Sequence, residues 1–482
     1  MIDLRPVFHV IGLLTAALGL FMLPPMAFDL AEGDGNWRAF ALSAFATTLA
    51  GVALALVCRA GRGPGLSLRQ VFLLTSLTWI ILPVFGALPL MIGAPHAGLT
   101  DAIFETVSGM TTTGSTVFTG LDDLPAGTLL WRGILQWIGG IGIIVVAIAF
   151  LPVMRVGGMQ FFRSEGFDTM GKILPRAAGI ALSISWIYLA LTLACMFAYE
   201  ALGMPFFDAL VHAMTTMATG GFSTRDASFG AYQGPLEYVA GLFMILASLP
   251  FVRYIQLVAG SARPILRDPQ VRAYLGLVAG LVGVITLYRM AVLGDHPEHS
   301  FREAFFNITS ILSGTGFASV DYMNWGPFPV ALFFVIGLIG GCTGSTACSV
   351  KIFRYQIAIA AIGAQIRSLH APHGVFVPRY QGQPIGRDVI DSVSAFFVLF
   401  FFSLTGFSLI LALLGLDTVT AVSGAATALA NIGPGLGPVI GPSGNFATLS
   451  DAAKWVLVAA MLVGRLELFA VYVLFTRRFW AG

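Results

Sequence analysis

Long apolar segments alternate with short polar ones along almost the entire chain. A helix needs about 20 apolar residues to cross the hydrocarbon core of a bilayer, and ten segments reach that length. They lie at residues 8–28, 37–57, 71–93, 128–153, 178–203, 236–261, 273–293, 327–347, 392–415 and 453–476. The pattern predicts a polytopic membrane protein with about ten transmembrane helices.

Four shorter apolar segments lie between these spans, near residues 101–112, 208–218, 302–314 and 418–431. Each is about half as long as a span and ends at a turn that contains glycine. Non-helical backbone at membrane depth needs partners for its carbonyl groups, which favours re-entrant half-helices that meet inside the protein. The four turns are Thr112-Thr113-Gly114-Ser115, Ala218-Thr219-Gly220-Gly221, Gly314-Thr315-Gly316-Phe317 and Asn431-Ile432-Gly433-Pro434.

The order span, half-helix, glycine turn, span occurs four times after two helices at the front. Such repeats indicate one structural unit used several times. Asp101, Asp208 and Glu303 open three of the half-helices, where the helix dipole favours an acid. We predict an all-α fold of four pseudo-symmetric units around one central pore. The predicted divisions are residues 1–65 for the front helices and 66–160, 161–265, 266–365 and 366–482 for the units.

Composition and charge agree with a membrane location. Hydrophobic residues make up 57% of the chain, charged residues make up 10%, and the mean hydropathy is +0.86. If the amino terminus is cytoplasmic, most of the 26 Lys and Arg residues lie on the cytoplasmic side. Both termini are then cytoplasmic, and all four turns face outward. Acids dominate the outer side and would concentrate cations there, although they also collect wherever basic residues are excluded.

The turns have the composition of a cation site built from backbone. Glycine permits backbone angles that are closed to residues with a Cβ, so successive carbonyl oxygens can point the same way. Threonine adds a hydroxyl oxygen. Four such turns on one axis would replace the hydration shell of a monovalent cation. Glycine also allows close packing of membrane helices, and that alternative explains a single turn better than four at matching positions.

The chain resembles the TrkH branch of the Trk/Ktr/HKT superfamily of potassium uptake proteins. The similarity covers nearly the whole length and includes Arg5-Pro6, Gln136-Trp137-Ile138-Gly139-Gly140 and the segment from Asn431 to Pro438. The resemblance implies potassium uptake across the cell inner membrane through a selectivity filter. Sodium-preferring members carry serine at the first filter glycine, so Gly114 favours potassium.

The resemblance also implies which residues surround the ion. The filter glycines are expected to be Gly114, Gly220, Gly316 and Gly433. The full set of expected potassium ligands is Thr112, Thr113, Gly114, Ala218, Thr219, Gly220, Gly314, Thr315, Gly316, Asn431, Ile432 and Gly433. The fourth turn departs from the others, because Ile432 stands where we align a threonine in the other three and Pro434 follows its glycine. The symmetry is therefore expected to be approximate.

A run of small residues, 340–349, interrupts the outgoing span of the third unit before Lys351. The resemblance implies an intramembrane gate below the filter, with Arg465 of the last span as a barrier to cations. The expected gate residues are Gly340, Gly341, Thr343, Gly344, Ser345, Thr346 and Arg465. A helix-packing seam is the alternative for the loop. Pairing with Glu467 or with backbone is the alternative for Arg465.

Other candidates for chemistry are weak. His296-Pro297-Glu298-His299 lacks the spacing of a zinc protease motif, and we place it in a solvated outer loop. The four cysteines show no metal spacing and are interpreted as small buried hydrophobic residues. The sequence contains no phosphate loop and no serine nucleophile elbow. We therefore expect no enzymatic activity, no organic cofactor and no nucleic-acid partner.

The partners expected from the resemblance are membrane lipid, a second copy of the chain in a homodimer, and a cytoplasmic nucleotide-binding subunit of the TrkA type. The longest predicted inner loop, residues 364–390, would contact such a subunit or be an ordinary positively charged loop. Three functions stay open at this point: potassium uptake, a sodium-permeable pore, and a cation symporter of the same fold. The sequence does not separate channel-like conduction from proton-coupled or sodium-coupled symport.

Overall fold

The computed structural model describes residues 2–59, 66–149, 157–159 and 177–481, and helices dominate them. The front helices are Arg5–Leu20, Leu23–Glu32 and Trp37–Val57. The first two form a single 28-residue apolar stretch. The front helices approach closely where they cross, since a Cβ added to Gly51 would lie 2.3 Å from the backbone nitrogen of Ala16. Glycine is used here for helix packing.

Each unit then begins with a long helix and continues with a shorter one that ends at a glycine turn. The first unit contains helices Leu68–Gly86, Leu88–Ile92, Leu99–Met110 and Ala126–Ala149, with the 3-10 turn Leu121–Asp123. The second contains Ala177–Ala201, Phe206–Met217, Pro235–Ala247, Phe251–Val258 and Arg263–Arg267, with the 3-10 turn Ser228–Tyr232.

The third and fourth units follow the same order and add short elements. The third contains Pro269–Tyr288, the π-helical turn Arg289–Leu293, Pro297–Ser313, the 3-10 turn Tyr322–Trp325, Pro327–Gly337 and Ile352–His370. The fourth contains strands Arg379–Tyr380 and Gln383–Pro384, then helices Arg387–Leu413, Thr418–Ala430, Gly437–Ile440, Asp451–Arg465, Phe469–Tyr472 and Arg477–Trp480, with the 3-10 turn Val473–Phe475. The two strands pair as an antiparallel hairpin.

The predicted polytopic all-α fold is confirmed. Within the described residues, seven helices are long and apolar enough to cross a membrane, and the number is nine if each of two bent pairs of helices is one span. The pair Pro235–Ala247 and Phe251–Val258 bends by 92°, and Pro250 interrupts its hydrogen-bond ladder at the break. The pair Asp451–Arg465 and Phe469–Phe475 bends by 105°. Arg465 therefore ends a helix, whereas the predicted span 453–476 has it near the middle.

The predicted span 327–347 is not a continuous helix, and its break includes the run of small residues, 340–349, that we expected to interrupt it. The helix ends at Gly337, and residues 338–351 have no regular structure. Gly340 and Gly344 have φ values of +80° and +76°, which a helix does not tolerate. The chain becomes helical again only at Ile352, in a helix that reaches His370 and occupies the start of the stretch predicted as the inner loop 364–390.

The four short helices, hereafter half-helices 1 to 4, are Leu99–Met110, Phe206–Met217, Pro297–Ser313 and Thr418–Ala430. Half-helix 3 starts earlier than predicted, so Glu303 lies in its second turn and Glu298 in its first. For the same reason His299 belongs to a helix and not to a loop. The predicted boundary between the first two units, at 160–161, falls outside the described residues. So do Arg62, Arg155, Arg163, Lys172 and Arg176, five of the basic residues that we placed inside.

Candidate functional site

One backbone hydrogen bond recurs at the end of every half-helix and sets the register of the four turns. In each unit an amide donates to the carbonyl five residues earlier. The four bonds are Thr113 to Ser108 at 2.8 Å, Gly220 to Thr215 at 2.9 Å, Thr315 to Ser310 at 2.8 Å and Ile432 to Thr427 at 3.0 Å. These bonds make Thr113, Gly220, Thr315 and Ile432 equivalent positions.

This register corrects the alignment of the second turn. The glycine that follows the bonded residue is Gly221 and not Gly220. Its φ is +76°, comparable with +86° at Gly114, +81° at Gly316 and +111° at Gly433. Gly220 has no such backbone angle. The sequence Thr219-Gly220-Gly221 contains two glycines, and the sequence alone does not show which of them is equivalent to Gly114.

The four turns meet in a closed ring. A Cβ added to Gly114 would lie 2.1 Å from the Gly220 carbonyl oxygen, and one on Gly221 would lie 1.9 Å from that of Thr315. The same construction places Gly316 against the Ile432 oxygen at 1.9 Å and Gly433 against the Thr113 oxygen at 2.9 Å. Each glycine therefore meets the carbonyl of the next unit in chain order, and the fourth meets the first.

The four ring glycines Gly114, Gly221, Gly316 and Gly433 also line one cavity of about 70 Å³. The expected ligands Thr113, Gly220, Thr315 and Ile432 stand beside them at the carbonyls of the ring. The corrected register places a threonine only in the first and third units, because Gly220 takes the place that we had given to Thr219. Side-chain hydroxyls thus follow a twofold pattern at this level of the ring.

The ring residues are held by neighbouring side chains. The Thr113 hydroxyl bonds to the Thr111 hydroxyl at 2.7 Å and accepts from Asn431 Nδ2 at 2.9 Å. The Thr315 hydroxyl bonds to that of Ser313 at 2.7 Å. Gln136 Nε2 donates to the Gly220 carbonyl at 2.7 Å. These contacts leave the turns little freedom to shift.

The residues just before the bonded positions share another unusual angle. Thr112, Thr219, Gly314 and Asn431 all have positive φ, between +49° and +78°. Ala218, which we had expected in the ion site, is the residue that caps half-helix 2 and stands one place earlier. The expected ligand set is therefore brought together in space, except that Ala218 lies outside the ring and Gly221 belongs in it.

Residues 338–351, hereafter the intramembrane loop, lie against the half-helix end of this ring. The Cys348 Sγ is 3.5 Å from the Thr112 hydroxyl oxygen, and a Cβ on Gly314 would be 3.3 Å from Cys348 Cβ. Ser349 donates its amide to the carbonyl of Ala430, the last residue of half-helix 4, at 3.0 Å. The loop thus touches three units at the ring.

The expected gate residues anchor the other side of this loop at the bend of the second unit. Gly344 accepts the Phe251 amide at 2.9 Å, and the Thr346 hydroxyl donates to the Ala247 carbonyl at 3.0 Å. Thr343 donates its amide to Gln270 Oε1 at 2.9 Å. Gly341 accepts the Ile352 amide, and the Ser345 hydroxyl donates within the loop to Cys342. Gly340 supplies the left-handed turn at the start of the loop.

Arg465 reaches the loop at the residue nearest the ring. Its Nη1 contacts Cys348 Sγ at 2.7 Å, and its Nη2 donates to the Gly139 carbonyl at 3.1 Å. From the sequence we interpreted Cys348 only as a buried hydrophobic residue, and its contact with Arg465 was missed. The available signal for a role of Cys348 in the gate was its place in the run of small residues, 340–349. Of the two alternatives for Arg465, backbone pairing is present.

Glu467 bonds elsewhere, in a buried cluster with Lys351 and Arg354. Its carboxylate is 3.1 Å from Lys351 Nζ and also accepts from Arg354 Nη2. Lys351, Glu467 and Leu468 have φ values of +76°, +60° and +50°, which are costly for residues with a Cβ. The ion pairs hold the end of the loop to the bend next to Arg465. Strained backbone and buried charge are concentrated at this one place.

Several of the acids that we placed on the outer side form ion pairs within the protein. Glu105 pairs with Arg132 at 2.8 Å, with both side chains almost fully buried. Other close pairs at the half-helices include Lys454 with Asp101, Arg225 with Asp208, Arg289 with Glu303, and Arg302 with Glu237. Asp417 caps half-helix 4, and its hydrogen bonds from Thr420 lower its pKa and keep it ionised. Pairing reduces the negative field that the acid count alone suggested.

The chain matches known proteins over nearly its full length. A family model described as TrkH, cation transport protein, matches residues 38–480. The Trk system potassium uptake protein TrkI of Halomonas elongata is 46% identical, covering 98% of this chain and 96% of that protein. TrkH of Salmonella typhimurium is 36% identical with 99% of both chains covered.

A solved structure agrees with these sequence matches. The crystal structure of the potassium transporter TrkH from Vibrio parahaemolyticus superposes with a TM-score of 0.91 at 34% identity. The match covers 99% of this chain and 100% of that one.

The register of the second turn predicts a clear difference between two adjacent alanine substitutions. Gly221→Ala would place a Cβ against backbone at 1.9 Å in a left-handed conformation, whereas Gly220→Ala meets the Gln136 side chain. The left-handed angle alone costs ~1–2 kcal/mol. We expect Gly221→Ala to lower the unfolding temperature of the purified protein more than Gly220→Ala does. The additional change Gln136→Ala should rescue only the Gly220 variant. Greater damage from Gly220→Ala would contradict the corrected register.

Proposed function

The chain belongs to the TrkH family of cation transport proteins, and on that premise we propose that it takes up potassium across the cell inner membrane through the ring of four turns. The observation that carries this proposal is the closed contact of each ring glycine with the carbonyl of the next unit. The membrane potential drives entry with about 2.3 kcal/mol per charge per 100 mV. This flow is inward because the potential is negative inside the cell, and in the proposed orientation both termini lie in the cytoplasm.

Backbone carbonyls are the proposed ligands. Oxygens of Thr113, Gly220, Thr315 and Ile432 take the place of hydration oxygens as the ion enters the ring. The hydrogen bonds that Gly220 accepts from Gln136 and that Gly433 accepts from Ser115 leave each oxygen a second lone pair for the ion. The four half-helices end at the ring, so the partly negative ends of their dipoles favour a cation there.

Arg465 and the intramembrane loop form the proposed gate. The loop contacts the ring at Thr112 and Gly314, which belong to the end where the half-helices finish. The Arg465 guanidinium bonds to Cys348 of that loop and brings a fixed positive charge to the path below the ring. A cation leaving the ring must displace this charge or wait until the loop moves.

The proposed partners are a second copy of the chain and a cytoplasmic nucleotide-binding subunit of the TrkA type. Helix Ile352–His370 and the hairpin after it carry exposed basic side chains on the proposed cytoplasmic side, among them Arg367 and Arg379. They follow directly on the intramembrane loop and the Lys351 cluster. A subunit bound to this helix would therefore act on the gate through a short connection.

Replacing the first ring glycine tests selectivity. Gly114→Ser introduces a Cβ at 2.1 Å from the Gly220 oxygen, so the ring must widen or tilt. We expect the ratio of potassium to sodium uptake, measured in cells that lack their own potassium uptake, to fall by about tenfold, equivalent to ~1.4 kcal/mol of discrimination. Gly98→Ser is the matched control, because Gly98 precedes half-helix 1 with no atom within 4 Å of the added Cβ. A wild-type protein that prefers sodium would refute potassium selectivity, and an unchanged ratio in Gly114→Ser would refute the filter.

Removing the guanidinium tests the gate. Arg465→Ala deletes a buried positive charge beside Cys348, and we expect potassium flux into proteoliposomes to rise by roughly tenfold as an electrostatic barrier of ~1.4 kcal/mol is lost. Arg478→Ala, an exposed arginine of the last helix, should leave flux unchanged. Unchanged or reduced flux in folded Arg465→Ala protein would argue against the barrier.

A further inference from the structure

A second layer of polar residues lies behind the ring, at one equivalent position of the half-helices. The recurrent bond at the end of each half-helix aligns Ser108, Thr215, Ser310 and Thr427. Three residues before these anchors stand Glu105, His212, Asn307 and Gly424. The first three are polar and fully buried. Buried polar groups are retained where their hydrogen bonds are satisfied, and all three bond to the same part of the fold.

In the first unit Glu105 bonds to the exit segment, which is the non-helical chain that follows the ring glycine. It accepts the Val117 amide at 2.9 Å and the Thr116 hydroxyl at 2.9 Å, respectively three and two residues after Gly114. Arg132 completes the arrangement, with Nε donating to Glu105 at 2.8 Å and Nη1 donating to the Ser223 carbonyl of the second unit at 2.8 Å. The exit segments of the first and second units are thus joined through one carboxylate and one guanidinium.

His212 makes the equivalent contact in the second unit. Its Nδ1 is 2.8 Å from the Asp208 carbonyl and must donate to it, so Nε2 accepts from the Ser223 hydroxyl at 2.9 Å. Ser223 stands two residues after Gly221. The Ser223 oxygen also accepts the Arg225 amide at 3.0 Å, which fixes the hydroxyl direction.

Asn307 makes the contact in the third unit with both ends of its amide. Its Oδ1 accepts the Ser319 amide at 3.2 Å, and its Nδ2 donates to the Ser319 hydroxyl at 3.0 Å. Ser319 stands three residues after Gly316. The fourth unit differs, since Gly424 has no side chain and the neighbouring Ser423 hydroxyl accepts the Leu436 amide at 2.9 Å.

We propose that Glu105, His212 and Asn307 are positioning residues that hold the ring at the size of its ion. The inference deepens the proposed potassium uptake and rests on it. Where the spacing of the carbonyls sets the selectivity, the ring favours a larger cation by resisting closure around a smaller one. An exit segment that is hydrogen-bonded to its half-helix two or three residues beyond the glycine resists that movement. The three side chains differ chemically and share the position and the bond, which packing alone does not require.

Asn307 is the best place to test this inference, because a matched control lies on the same helix. Asn307→Leu removes both bonds to Ser319, and Thr309→Val removes a buried hydroxyl that has no hydrogen-bond partner among the described residues. We expect Asn307→Leu to lower the potassium to sodium uptake ratio by about tenfold, while Thr309→Val keeps it. Asn307→His, which installs the side chain of the equivalent position in the second unit, should restore much of the ratio.

Hydrogen–deuterium exchange on the same purified proteins gives a readout that is independent of transport. Amides of residues 317–321 should exchange faster in Asn307→Leu than in wild type or Thr309→Val, because the Ser319 amide loses its acceptor. Unchanged exchange would overturn the positioning role. Faster exchange with an unchanged uptake ratio would overturn the link to selectivity. If wild type takes up no potassium, the proposed function fails. The exchange result still decides whether Asn307 holds the exit segment of the third unit.

Discussion

The rest of the structure depends on the absence of a side chain at four points where backbone meets backbone. At Gly114, Gly221 and Gly316 a Cβ would come within 2.1 Å of a carbonyl oxygen from the next unit. Real Cβ atoms do not approach so closely, so any other residue would push the units apart. Unpaired carbonyls are costly inside a membrane, and a ring that gathers them needs a cation or water at its centre. The half-helix ends and the layer at Glu105, His212 and Asn307 lie around this contact.

The two ends of the ring are built differently. Beyond the glycines, hydrogen bonds and paired charges join each exit segment to a half-helix. At the half-helix end, a loop without regular structure meets Arg465, while Lys351, Arg354 and Glu467 hold strained backbone in place beside it. A hydrogen-bonded layer on one side and a strained, charge-held loop on the other suit the proposed selective ring with a separate movable barrier.

Sequence patterns predicted the half-helices well, because their short apolar length and terminal glycines are local signals. They did not resolve Gly220 from Gly221, since both satisfy the same local rule and only the bond to Thr215 chooses between them. The bend after Arg465 was missed for a different reason. The two residues at the bend are Glu467 and Leu468, which are not typical helix breakers. The bend depends on a partner more than 100 residues away in sequence, Arg354. The role of Cys348 was missed in the same way.

The most direct test of the account is to locate a heavy potassium analogue in the protein. Anomalous diffraction from crystals grown with rubidium should show a peak on the axis of the ring, within coordination distance of the carbonyl oxygens of Thr113, Gly220, Thr315 and Ile432. The peak should weaken when potassium competes and persist when sodium does. A ring without cation density, or a rubidium peak only at some other place in the protein, would contradict the claim that these four turns form the ion site.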